Sequence, residues 1–106
     1  IHIDDVVRAI IYSINNFNYL KSNVYNLGLS SANLTKYMLA MKIKRQVKKL
    51  KIDFVEGIKD PDQRDYYVSN KKIEKKGFKA KITIDDGVKQ LVQLFKQKKE
   101  KIINNY

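Results

Sequence analysis

The residues best equipped for chemistry lie together between Lys59 and Ser69, where Lys-Asp-Pro-Asp-Gln-Arg-Asp-Tyr-Tyr-Val-Ser mixes cations, carboxylates and aromatic rings. Arg64 can fork onto a diphosphate, Asp62 can accept from ribose hydroxyls, and Tyr66 offers an apolar face with a polar tip. Together they suit a nucleotide held in a loop. A polar turn in which aspartate and Arg64 pair with each other would use the same residues.

Other arrangements are thinner. Tyr67 and Lys71 have the Tyr-x-x-x-Lys spacing with which a lysine one helical turn away lowers a tyrosine's pKa. Tyr67 falls in a β-prone stretch and Lys71 opens the following helix, so the spacing reads as coincidence. His2, between two isoleucines, reads as a buried or capping histidine. The chain has no cysteine and one histidine, which excludes a thiolate nucleophile, a disulfide framework and a Cys/His zinc site. Its four glycines, Gly28, Gly57, Gly77 and Gly87, stand apart, so neither a P-loop nor a dinucleotide-binding loop is present. No residue is assigned a catalytic, cofactor-binding or metal-binding role.

Composition bounds the partners. The 106 residues carry 22 Lys plus Arg against 11 Asp plus Glu, a formal charge of +11. Much of the excess sits in residues 42–51 and 96–101. A nucleic-acid binder would use such groups on phosphates, but residues 42–51 lack the interleaved aromatics that stack bases. The preferred account is a solvated, lysine-rich helix face. The longest uncharged stretch, Ala9 to Leu20, is too short and polar for a membrane span, and Asp4 and Asp5 stand where a basic leader would be. A soluble, cytoplasmic protein is expected. The opening at Ile1, without an initiator Met, reads as a fragment of a longer chain.

The elements that must position the loop follow from periodicity and capping. Asp4 as cap, Asp5 near the positive helix end, and a stripe of Val6, Val7, Ile10, Ile11 and Ile14 predict a helix over 4–16 with that stripe on a core. Val24 to Leu27, ending at Gly28, predicts a strand. Ser30-Ser31 as cap and the apolar residues from Leu34 to Leu50 predict a helix over 31–47. A second strand is expected over 52–56 and a β-prone triplet at Tyr66, Tyr67 and Val68. Ser69 or Asn70 would cap a helix over 71–76, closed by Gly77. Asp85 and Asp86 would open a helix over 85–97, with residues 98–106 as a frayed tail. The fold class expected is α/β, a small mixed lobe in the order α-β-α-β-β-α-α, forming one domain over 1–106.

This order of segments resembles the C-terminal part of the NAD-dependent epimerase/dehydratase family, the extended short-chain dehydrogenases that act on nucleotide sugars. The residues that carry the likeness are 1–9 (Ile-His-Ile-Asp-Asp-Val-Val-Arg-Ala), 24–28 (Val-Tyr-Asn-Leu-Gly), 62–69 (Asp-Gln-Arg-Asp-Tyr-Tyr-Val-Ser), Lys72-Ile73 with Gly77-Phe78, and 84–88 (Ile-Asp-Asp-Gly-Val). The likeness implies a substrate-binding lobe without the Rossmann lobe that holds NAD and performs the chemistry. The family's Arg-x-x-Asp element, which grips diphosphate and ribose, falls on Lys59 and Asp62. Lysine in place of arginine loses the bidentate fork, for which Arg64 compensates. Tyr66 falls on an aromatic position beside the nucleotide, and a second gripping arginine would lie before Ile1. The implied function is therefore to hold a nucleotide-diphosphate sugar through Lys59, Asp62, Arg64 and Tyr66. NAD belongs to the parent protein and none is bound here. The implied partners are the missing NAD-binding lobe and, through uncovered apolar surface, a second copy of the chain. A small basic nucleic-acid-binding domain is the alternative, and a degenerate lobe kept for protein contacts is a third.

Overall fold

The computed structural model describes residues 1–53, 55 and 67–103. The described residues form five α-helices, α1 (Ile3–Asn15), α2 (Phe17–Leu20), α3 (Lys36–Gln46), α4 (Lys71–Lys75) and α5 (Ile84–Ile103), with a 3-10 turn at Ser30–Ala32. The described residues contain no strand, so the α/β expectation is corrected to an all-helical arrangement.

The expected strand at 24–27 is absent: its contacts to 67–72 run through side chains and not through a backbone ladder. A strand needs a ladder partner. Here the Val24 carbonyl accepts from Lys72 Nζ at 2.9 Å, and Asn26 Nδ2 donates to the Ser69 carbonyl at 3.3 Å. The Val68 amide in turn donates to Asn33 Oδ1 at 3.2 Å. The segments 24–33 and 67–70 thus run together without exchanging backbone hydrogen bonds in a ladder. Residues 52, 53 and 55 are likewise irregular.

Helix α1 begins one residue before its expected start. His2, not Asp4, is its cap, with Nδ1 accepting from the Asp4 amide at 3.2 Å. Asp5 does more than favour the helix dipole. It is fully buried, pairs with Arg8, and accepts from the amides of Lys81 at 2.9 Å and Ile82 at 2.8 Å. The isoleucine-rich stripe does not face a core: Val7, Ile10, Ile11 and Ile14 are all exposed. What packs inward from α1 is the opposite side, with Ala9 buried and Tyr12 partly so.

The expected helix over 31–47 divides. Ser30 opens only a 3-10 turn, and α3 starts at Lys36 under Thr35, whose Oγ1 accepts from the Met38 amide at 3.1 Å. Helix α2 had no counterpart in the sequence reading. Helix α4 matches its expected place. Gly77 follows it at φ 99°, a left-handed conformation that favours glycine. A Cβ there would stand 2.6 Å from the Tyr12 hydroxyl. Helix α5 is capped reciprocally: the Asp86 amide donates to Thr83 Oγ1 at 3.1 Å, and the Asp86 carboxylate accepts from the Thr83 amide at 3.2 Å.

The core is small. Ala9, Ile73 and Phe78 form its centre, flanked by Tyr12, Tyr25 and Leu27. The Tyr12 and Phe78 rings lie 5.6 Å apart, and the Tyr12 hydroxyl donates to the Lys76 carbonyl at 2.6 Å. This knot joins α1 to α4. Helix α3 packs along α5 without burying any residue of its own. No helix among the described residues is long and apolar enough to cross a membrane.

Candidate functional site

The four residues read as substrate-binding, Lys59, Asp62, Arg64 and Tyr66, lie outside the described residues. Tyr67 is largely exposed, and the four residues 67–70 are irregular before α4 begins. Tyr67 and Lys71 therefore do not share a helix, which removes the geometry a Tyr-x-x-x-Lys pair needs.

From Val68 onward the chain is held by asparagines. Asn33 accepts from the Val68 amide, and its Nδ2 lies 3.4 Å from the Val68 carbonyl. Asn70 is buried, and its Nδ2 donates to Ser30 Oγ at 3.2 Å. The Ser30 hydroxyl in turn donates to Glu74 Oε1 at 2.6 Å. Asn70 stands at the cap position of α4, but its side chain turns to Ser30 instead of capping. Gly28 is what makes room, since a Cβ there would meet the Asn70 amide group at 3.1 Å. Asn70 Oδ1 and the Tyr25 hydroxyl are buried without a hydrogen-bond partner among the described residues. Burying such groups unpaired costs roughly 1–3 kcal/mol each.

A concavity lies between α1 and the segment after α4. It measures about 350 Å³ and is lined by Arg8, Ile11, Tyr12, Phe78, Lys79 and Lys81, with Asn15 and Gly77. Arg8 pairs with Asp5 and its guanidinium lies 5.6 Å from the centre of the Phe78 ring. Lys79 and Lys81 are exposed and have no ion-pair partner among the described residues. The hollow thus offers an apolar floor under a cationic rim, with no carboxylate in its lining.

Burial raises the Asp5 pKa, but the amides of Ile82 and Lys81 and the Arg8 cation outweigh it, so the carboxyl titrates below its ordinary 3.8. Asp85 is also lowered, chiefly by its hydrogen bond from Lys42 at 2.7 Å. Gln46 Nε2 donates to the Asp85 carbonyl at 2.8 Å. One cation of the basic run at 42–51 is therefore engaged in holding α3 to α5.

His2 plays a positional part. Its Nδ1 accepts from the Asp4 amide, so Nε2 carries the proton and donates to Gln90 Oε1 at 2.8 Å, tying the start of α1 to α5. No cluster of three or more His, Asp or Glu side chains suited to a metal occurs among the described residues.

Asn33, Asn70 and the Arg8, Lys79 and Lys81 rim were not singled out as site residues from sequence. Asn70 carried a signal only as a helix cap. Lys79 and Lys81 carried none, because their relation to Arg8 exists only once α1 docks on Phe78. No protein-family model matches the chain.

Proposed function

We propose that the chain is the nucleotide-sugar-binding lobe of an NAD-dependent epimerase or dehydratase, with Lys59, Asp62, Arg64 and Tyr66 holding the diphosphate and ribose. The observation that supports this most is where the resembling segments meet. Gly87 from 84–88 lies against His2 from 1–9, the Val24 carbonyl from 24–28 accepts from Lys72, and Ala9 packs on Ile73 and Phe78. Pieces separated by dozens of residues are mutual neighbours, which suits segments selected together as one unit.

Among the described residues the glycines do not suit NAD. Gly28, Gly77 and Gly87 face the side chains of Asn70, Tyr12 and His2, so none of the three opens a phosphate cradle. The coenzyme and the redox step belong, in this reading, to a separate module. This lobe contributes position: remote contacts to the diphosphate supply binding energy that orients the sugar. The cationic excess draws an anionic donor toward it, and a cytoplasmic setting suits such a substrate.

Calorimetric titration of the 106-residue chain tests the proposal. Uridine or guanosine diphosphate sugars are expected to bind weakly, because the grip is incomplete. Arg64→Ala should weaken that binding about tenfold, the loss of one charge-assisted contact. Nanomolar, sequence-selective binding of a DNA or RNA oligomer would replace this reading with the nucleic-acid one.

A further inference from the structure

Helix α1 has a second apolar face that the chain's own core does not use. Ile3, Val7, Ile10 and Ile14 recur at intervals of four, three and four, which places them in one stripe along α1. Their exposures are 67%, 47%, 55% and 68%. The stripe lies on the far side of α1 from Asp5 and Ala9, both buried. A seam with that spacing has the shape one helix presents to another. Exposed apolar surface of this kind marks an interaction site.

Charge selects the occupant. At one edge of the stripe Ile11 enters the hollow whose rim is Arg8, Lys79 and Lys81. Asp5 neutralises Arg8, which leaves Lys79 and Lys81 to be matched. We propose that this face docks an acidic amphipathic helix of a partner protein, with apolar side chains on the stripe and carboxylates over Lys79 and Lys81. A second copy fits less well. Two-fold pairing through this face would set two +11 chains together with no carboxylate in the hollow's lining to meet the lysines. An anionic lipid surface is the competing occupant, since Lys79 and Lys81 would meet its headgroups as well, and the vesicle comparison below separates the two. The proposal stands apart from the nucleotide-sugar reading.

Fluorescence anisotropy with two synthetic helices of identical apolar seam, one flanked by glutamates and one by lysines, tests it on the 106-residue chain. The glutamate peptide should bind at least about tenfold more tightly, with the difference shrinking as salt rises. Ile10→Asn should weaken both peptides. The double variant Lys79→Gln, Lys81→Gln should weaken the glutamate peptide alone. All three side chains are exposed, so circular dichroism should be unchanged and will verify that the variants fold. Equal affinity for the two peptides would overturn the proposal, as would absence of binding. Sedimentation showing Ile10-dependent dimers, or tighter binding to phosphatidylserine vesicles than to the glutamate peptide, would overturn it in favour of those occupants.

Discussion

The knot between α1 and α4 and the pair formed by α3 and α5 are held in different ways. In the knot, contacts are buried and reach the backbone: Asp5 accepts from two amides, Tyr12 donates to a carbonyl, and Phe78 is 4% exposed. In the pair, the named contacts are Lys42 to the Asp85 carboxylate and Gln46 to the Asp85 carbonyl, and α3 buries nothing. A buried group that loses its partner has no water to turn to, whereas an exposed one rehydrates. Stability is therefore expected to reside in the knot, with α3 opening at low cost.

The largest test of that contrast is Phe78→Ala, which removes the ring at the centre of the core. It should cost about 4 kcal/mol in chemical denaturation. An equal loss from Leu94→Ala, on an α5 residue 60% exposed, would break the comparison.

Next comes Asp5→Asn, which takes the charged acceptor from the amides of Lys81 and Ile82 and should cost about 2 kcal/mol near neutral pH. The dependence on acid sharpens the point. Because the folded state holds the Asp5 pKa below 3.8, its contribution is fully present above that value and disappears as pH falls through the lower, folded one. The gap between the two proteins should narrow below about pH 3.8. A gap that stays constant into strong acid would mean that the ionised carboxylate is not what stabilises the knot.

The smallest effect belongs to the pair. Lys42→Ala removes an exposed ion pair and should leave the denaturation midpoint within measurement error. Native-state hydrogen exchange should find α3 amides exchanging faster than those of α1. Slower exchange in α3 would reverse the comparison.

Parts of this arrangement were legible in the order of residues. The acid-rich start of α1, the placement of α4 with Gly77 after it, and the Asp86 signal at α5 depend on local bonds within a few positions, so short-range reading finds them. Periodicity misled at two places. The stripe from Val7 to Ile14 has the spacing of a core face, but spacing says only that a face is apolar and not what covers it. The β-prone residues of 24–27 suit a strand, yet the Val24 carbonyl is met by Lys72 and the Asn26 side chain serves the Ser69 carbonyl, with no ladder between the two segments. The candidate substrate residues Lys59, Asp62, Arg64 and Tyr66 rest on residue type and resemblance.

Taken alone, the sequence determined the charge, the absence of thiol and multi-histidine chemistry, and the location of most helix starts, because these are properties of composition or of neighbouring residues. Tertiary structure alone decided that Asp5 is a buried anchor, that Asn70 turns to Ser30, and that Lys79 and Lys81 share a rim with Arg8. Each of those depends on segments distant in the chain coming to rest against one another, and the free energy of burial depends on what the neighbour proves to be.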